Sequence, residues 1–295
     1  MKKISNLQPS GQSDIPLKWD TRQRLALIEA TVLWEGRITS SILMQQFGIS
    51  RGQASKDFSL YHQLAEDNLL YDLNQKAYVA SETFTPCFMR GTTDEYLRLL
   101  EAGGFLGQSV VLPIMPKDIG VEILRPPQRS LDFQVVRFVH QAIREKRQLN
   151  ITYQAMNSEP SALTLEPHSL IFNGFRWHIR AYSETHQAYR DFVLARFLSA
   201  QLKSEKAVNF AEQDIEWQTF ETLIIAPHPD LSATQQALIA DDFGMENASL
   251  ALTVRRALRP YYLRMLHLDG LPEIPQAHPI VWLNRADFEP ESDRL

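Results

Sequence analysis

The chain is poor in the features that would settle its class at once. One cysteine, Cys87, stands among 295 residues. A single thiol can form no intrachain disulfide and cannot by itself complete a structural zinc site, so a disulfide scaffold is excluded and a reducing, cytoplasmic setting is expected. No uninterrupted apolar stretch approaches the roughly 18 residues that read as a membrane span. The opening MKKISNLQPSGQSD carries two lysines without an apolar run behind them and reads as a loose arm rather than a secretory signal. The P-loop, dinucleotide, zinc-protease and nucleophile-elbow motifs are all missing. The eight histidines are scattered, and no carboxylate cluster accompanies the basic middle of the chain. Neither an enzyme nor a cofactor- or metal-dependent protein is expected, with a nucleotide-processing enzyme as the rival class.

What is present fits a folded multidomain protein. The length exceeds one ordinary core, the composition is 44% hydrophobic and 22% charged, and two or three domains are the natural division. The net charge of −5 argues against a polyanionic partner only on average. Residues 1–70 hold 8 basic and 7 acidic side chains, residues 129–206 hold 11 and 7, and residues 207–295 hold 6 and 14. The acid is thus concentrated at the C-terminal end, and the middle carries a positive excess.

The N-terminal part reads as a winged helix. Leu25, Ile28 and Val32 recur at helical spacing between Asp20 and Gly36. Thr39 is placed to cap a short helix carrying Ile42, Leu43 and Phe47, which Gly48 ends. Ser50 and Gln53 form a capping-box pair at the start of a third helix, whose buried face is Ala54, Phe58, Tyr61 and Ala65. Arg51, Gln53, Ser55, Lys56 and Ser59 fall outside that face. Polar side chains at the start of the second helix of a helix-turn-helix suit major-groove reading, since Arg and Gln can each make paired hydrogen bonds to a base. LLYDLNQKAYVA then reads as two strands about Asn74 and Gln75, forming a wing with Lys76 near a phosphate. The candidate DNA contacts are Ser40, Arg51, Gln53, Ser55, Lys56 and Lys76.

Arg125-Pro126-Pro127 is a stiff joint. Beyond it a helix is expected from Leu131 to Lys146, with Phe133, Val136 and Val139 or His140 inward, then a strand from Leu149 to Gln154. Asn173-Gly174 signals a two-residue hairpin turn. That turn would set Phe172 opposite Phe175 and Ser169 opposite His178, with Phe175, Trp177, Ile179 and Ala181 on a core face and Arg176, His178, Arg180 and Tyr182 on the other. If Ser183 to Gln187 is the next loop, Arg180 lies opposite Arg190, an unfavourable pair unless an anion lies between them. An anion site of Ser169, His178, Arg180 and Arg190 follows. Phe192 and Leu194 then share Arg190's side, which requires a bulge or a mixed face. Solvated arginines paired with Glu184 or Asp191 are the alternative.

These runs, Ile151-Thr152-Tyr153, Pro167-His168-Ser169-Leu170, Arg176 to Tyr182 and Arg190 to Arg196, resemble the WYL-domain transcriptional regulators, with Trp177-His178-Ile179 at the signature tripeptide. Together with both ends of the chain, the likeness is to the BrxR/CapW type of phage-defence island regulator. The resemblance implies an α+β multidomain protein: a winged helix-turn-helix (1–90), a linker with a helix (91–128), an Sm- or SH3-like β-barrel WYL domain (129–206) and an α+β dimerisation domain (207–295). It implies a ligand pocket of Tyr153, Ser169, His178, Arg180 and Arg190 for a nucleotide or oligonucleotide effector. A repressor is the expected sign, and because one small winged helix offers few contacts, a homodimer on an inverted-repeat DNA operator is expected, with no membrane partner. An activator that senses nucleic-acid ends uses the same parts with opposite sign. Two positions depart from the pattern: His178 replaces the central tyrosine, and Glu166 stands where a basic residue would surprise less. At the C-terminal end, residues 221–226, 249–254 and 279–283 read as strands, Ala233–Asp241 and Leu258–His267 as helices, and His228-Pro229-Asp230 as a turn.

Overall fold

The computed structural model describes residues 16–106, 122–124, 126–127, 129–270 and 274–288, with the side chains of 102–106 left aside. The N-terminal arm and Arg125 of the expected joint lie outside these. The chain divides into two compact units, residues 1–124 and 125–295.

In the first unit, helix α1 (Trp19–Glu35) buries Leu25, Ile28 and Val32 and stops at Gly36, whose φ of 83° is reached without the Cβ clash that other residues meet. Strand β1 (Arg37–Ile38) and helix α2 (Ser40–Phe47) follow. Thr39 holds the extended N-cap backbone of α2 but makes no side-chain cap bond. Helix α3 (Arg51–Leu64) buries Ala54, Phe58 and Tyr61 as the spacing predicts, while Ala65 is its half-buried C-cap. The capping box is only half formed: Ser50 Oγ accepts from the Gln53 backbone N–H, and the Gln53 side chain turns to Asp57 instead. Strands β2 (Leu69–Asp72) and β3 (Ala77–Ala80) form the wing, and β1 pairs with β3, giving the sheet order β1-β3-β2. Asp72 Oδ1 accepts from the N–H groups of Asn74 and Gln75 and shapes the wing turn. Helix α4 (Thr93–Leu106) adds Tyr96 and Leu100 to the same core, with Trp34 stacked on Tyr96 at 4.9 Å.

An ionisable side chain lies inside this core. Glu29 is fully buried; its carboxylate accepts from the N–H groups of Cys87 (2.7 Å), Phe88 (2.8 Å) and Met89 (3.1 Å) and from Tyr61 Oη (3.0 Å). Burial pushes its pKa up while those donors pull it down. The four bonds tie the segment after the wing to α1 and α3.

In the second unit, Asp132 caps helix α5 (Phe133–Glu145) by accepting from the N–H groups of Gln134 and Val135. The inward face is Val135, Val139 and Ala142, with the expected Val136 half-buried beside them, whereas the expected Phe133 is the first helical residue and remains exposed. Strands β4 (Arg147–Tyr153), β5 (Ser161–Phe172), β6 (Trp177–Ser183), β7 (Ala188–Val193) and β8 (Phe197–Lys206) form an antiparallel sheet in the order β7-β6-β5-β4-β8. One 3-10 turn, Leu194–Arg196, joins the two edge strands, and Val193 N–H donates to Tyr153 Oη across the resulting curl. Leu149, Ile151, Leu165, Ile179, Ala181 and Phe192 make the core under α5.

Two registers differ from those predicted. Asn173 Oδ1 accepts from both Phe175 and Arg176 N–H, so the β5–β6 turn takes four residues, and Phe172 pairs with Trp177 and Ser169 with Arg180. This shift of two preserves the face of each β6 residue. In the next turn Ser183 stays in the strand and pairs with Ala188, a shift of one that does change faces. Arg180 then lies opposite Asp191, and Arg190 opposite Ala181. Phe192 meets Ile179 in the core, which removes the inconsistency of the predicted register.

Short helix α6 (Ile215–Gln218) leads to strand β9 (Phe220–Pro227), the centre of a three-stranded sheet with β10 (Leu250–Arg255) and β11 (Ile280–Trp282). Helices α7 (Ala233–Asp242) and α8 (Arg259–Met265) accompany it around Leu223, Ile225, Val254, Leu268 and Ile280. His228 Nδ1 accepts from Asp230 N–H, a turn role. The α+β architecture with a winged helix, a five-stranded middle sheet and a C-terminal α+β module is therefore as expected.

Replacing Glu29 by Ala leaves four buried donors without acceptors, each costing about 1–3 kcal/mol. The expected result is a loss of about 3 kcal/mol or more in the urea transition of the first unit, read in the full-length protein. A loss below about 1 kcal/mol would show that the Glu29 cluster is not a structural tie.

Candidate functional site

Two surfaces carry the chemistry. The first is the outer side of the winged helix. Arg51, Ser55 and Lys56 are exposed on α3, Lys76 is exposed at the wing turn, and Ser40 is half-buried at the start of α2. Among the described residues, Arg51, Lys56 and Lys76 have no carboxylate within ion-pair distance, so each is free to meet a phosphate or base edge. Gln53 differs: it is half-buried, and its Nε2 donates to Asp57 at 2.9 Å.

The second surface is the polar face of β6, and it is not solvated. Arg180 is 5% exposed. Its Nε and Nη2 donate to the two oxygens of Asp214 at 2.7 and 3.1 Å, Nη2 donates to Glu216 at 2.9 Å, and Nη1 donates to Asp191 at 3.3 Å. Burial works against the charge, but these carboxylates hold the guanidinium protonated. Asp214 also accepts from Trp217 N–H and contacts His168 Nε2 at 3.2 Å, while His168 Nδ1 meets Ser169 Oγ. Burial drives the Asp191 pKa up, and Tyr261 Oη donates to its second oxygen at 2.8 Å. Tyr261, from α8, also lies against the His178 ring, with centroids 5.0 Å apart.

The five residues expected to form an anion pocket are therefore dispersed in role. Tyr153 belongs to the core, edge-on to Phe192 and Phe197. Arg180 is matched by three carboxylates. Arg190 is exposed, on the opposite face from Arg180. The predicted juxtaposition of two arginines failed because the β6–β7 turn holds four residues rather than five. Ser169 and His178 stay near each other on adjacent strands, beside Arg180.

A different cationic group surrounds His178. Its pKa is pushed down to about 4, by burial first and then by the charges of Arg176 and Arg196. His178 Nδ1 and Arg176 Nε are buried without a hydrogen-bond partner, and among the described residues neither Arg176 nor Arg196 has a carboxylate partner. Arg176 was legible only as a member of the polar face, and Arg196 only as the last residue of a quoted run. Asp214, Glu216 and Tyr261 lie 34 to 81 residues from Arg180 and carry no local signal of their role.

The Glu166 departure is resolved by its contacts. The carboxylate is buried and accepts from Val208 N–H, Asn209 N–H, Asn209 Nδ2 and Gln148 Nε2. Burial opposes its charge, yet these donors hold its pKa below the ordinary value. It fastens the middle of β5 to the segment that leaves the middle sheet. No group of metal-ligating side chains occurs among the described residues, and no helix there is long and apolar enough to cross a membrane.

Comparison with known proteins finds three family models along the chain. The BrxR transcriptional regulator winged helix-turn-helix domain matches residues 20–102, the WYL domain residues 134–202, and the BrxR transcriptional regulator C-terminal dimerization domain residues 220–288. A protein of Stenotrophomonas maltophilia named DNA-binding transcriptional repressor CapW is 35% identical over 283 residues, covering 93% of each chain. Proteins of the same name from Escherichia coli (strain KTE188) and Pseudomonas aeruginosa are 36% and 34% identical, over 85% and 91% of this chain and 84% and 92% of theirs.

His178 supplies a pH test. Its folded pKa of about 4 lies below the ordinary 6.5, so the neutral ring is the form the fold holds. The stability tied to that neutrality is present above about 6.5 and is lost as pH falls towards 4. His178→Phe keeps a ring against Tyr261 and removes the titration. The expected outcome is that wild type loses thermal stability relative to this variant between pH 7 and 4.5; a constant gap across that window would contradict the assignment.

Proposed function

This chain belongs to the BrxR/CapW family of WYL-domain, DNA-binding transcriptional repressors, and from that premise we propose that it silences a phage-defence operon until an anionic effector releases it. The operator reader is α3, with Arg51, Gln53 and Ser55 towards base edges and Lys56, Lys76 and Ser40 towards the backbone. One winged helix makes few contacts, so a homodimer on an inverted repeat is the economical arrangement, with the acidic C-terminal domain as the main interface. That domain's family description as a dimerization domain supports this.

The effector is a nucleotide or oligonucleotide, and the observation that carries this reading is the uncompensated positive charge around His178. Among the described residues Arg176 and Arg196 have no carboxylate partner, and buried polar atoms of Arg176 and His178 have no hydrogen-bond partner. A phosphate group satisfies both deficits, since guanidinium donors match its oxygens. Arg180 is set apart from ligand work because four of its five donors and its charge are already engaged by Asp214, Glu216 and Asp191; it serves as the bolt that holds Asp214 and Glu216 to the sheet. Ser169 and His178 remain at the edge of the site. Tyr261 covers His178, so a phosphate at this place displaces or re-seats α8 and thereby shifts the dimerisation domain.

Two measurements test the proposal. In operator binding at fixed salt, Arg51→Ala should cost about 1–3 kcal/mol and relax base preference, whereas Lys76→Ala should weaken all sequences alike. Unchanged affinity in both would remove this face from DNA contact. Paired Arg176→Ala, Arg196→Ala substitutions should leave operator affinity intact without effector and abolish release by short 5′-phosphorylated oligonucleotides or cyclic nucleotides. Loss of operator binding by that folded variant in the absence of effector would mean that the basic face touches the operator itself.

A further inference from the structure

We propose that Asp57, held by Arg24, is a positioning residue that fixes the orientation of Gln53 and makes it select adenine at one operator position. The inference rests on the reading that α3 enters the major groove.

Arg24 of α1 is 6% exposed and Asp57 of α3 is 1% exposed. Arg24 Nε donates to Asp57 Oδ2 at 2.7 Å and Nη2 to Oδ1 at 3.3 Å; the guanidinium also reaches Asp20 at 3.1 Å and Thr21 Oγ1 at 3.2 Å. Gln53, one helical turn before Asp57, donates from Nε2 to the same Oδ1 at 2.9 Å. A carboxylate paired with a guanidinium offers acceptors only, so it must face the Gln53 amino group and never its carbonyl oxygen. One amide N–H is thereby committed inward. The second N–H and Oε1 have no partner among the described residues.

That remaining pair, one donor beside one acceptor with a defined order, is the complement of the adenine edge in the major groove, where N6–H donates and N7 accepts. Guanine presents two acceptors there and would set O6 against Oε1. An untethered glutamine can rotate its amide to suit several edges and loses more side-chain freedom on docking. Stability does not explain the arrangement well, because a buried ion pair is commonly no better than apolar side chains of similar volume. Orientation of Gln53 does explain why a charge pair occupies the interior between α1 and the reading helix. The position of Arg24 also carries the register from the core helix to the base contact, since Asp57 cannot rotate without breaking both bonds.

The test uses full-length protein. A preferred operator is selected from a random double-stranded DNA pool, and binding by fluorescence anisotropy at fixed salt is compared across all four bases at each position. Wild type should favour adenine at one position per half-site by about tenfold or more, and Gln53→Ala should erase that preference alone. Asp57→Asn should reduce it to about threefold or less, with affinity for unrelated DNA unchanged. The double substitution Arg24→Met, Asp57→Leu replaces the buried pair with apolar side chains, keeps the fold by thermal melting, and should give the same selective loss. If Gln53→Ala erases the preference and the folded double variant retains it, the positioning role is wrong while base reading by α3 stands. If Gln53→Ala alters no position, the reading of α3 itself fails, and the proposal with it.

Discussion

A guanidinium cannot leave water alone, and the matching of Arg180 by Asp191, Asp214 and Glu216 is the constraint around which residues 125–295 are arranged. Arg180 comes from the middle strand pair, Asp214 and Glu216 from the segment that leaves the sheet, and Asp191 passes the link to Tyr261 on α8. Asp214 matters most, since it is buried and accepts from two of the Arg180 donors. The same logic runs through the winged helix, where Arg24 is matched by Asp57 and Glu29 is surrounded by four donors. Each buried charge ties together elements distant in sequence, so these pairs specify the arrangement more than they add to stability.

This division of labour separates two kinds of arginine on one sheet. Arg180 is matched by three carboxylates and is structural. Among the described residues Arg176 and Arg196 have no carboxylate partner, Arg176 Nε is buried without a hydrogen-bond partner, and both charges add to burial in depressing the His178 pKa. In the proposed function a ligand phosphate would act on the second kind and be felt by the first, because His178 lies against Tyr261 and Tyr261 holds Asp191. The family supplies the premise that such a domain regulates DNA binding; the local charge imbalance supplies the reason an anion would be the signal.

Much of the fold was legible because it is written in local chemistry. Gly36 and Gly48 stop helices in the left-handed region, Ser50 caps α3, and the spacing of Ala54, Phe58 and Tyr61 predicts its buried face. Strand β4 and the three C-terminal strands fall within one or two residues of their expected positions, whereas β5 begins seven residues before the expected His168 and β8 was not foreseen. The site was less legible, since its residues meet through turns whose lengths the sequence leaves open. Asn173-Gly174 is a strong turn signal, yet the Asn173 side chain lengthens the loop to four residues. Counting Ser183 as loop rather than strand moved Arg190 to the wrong face. Asp57 and Asp214 bear no sequence mark of their partners, and helical spacing would leave a carboxylate such as Glu29 ambiguous between core and surface.

The central claim is that an anion at the Arg176–Arg196–His178 face is transmitted to the C-terminal domain through Tyr261. Hydrogen exchange of the full-length protein, with and without a short 5′-phosphorylated oligonucleotide, tests it most directly. The account predicts altered exchange in peptides covering residues 174–197 and, together with them, residues 256–268, while the β9 core about Leu223 and Ile225 is unchanged. Oligonucleotide binding that alters 174–197 and leaves 256–268 as it was would contradict it.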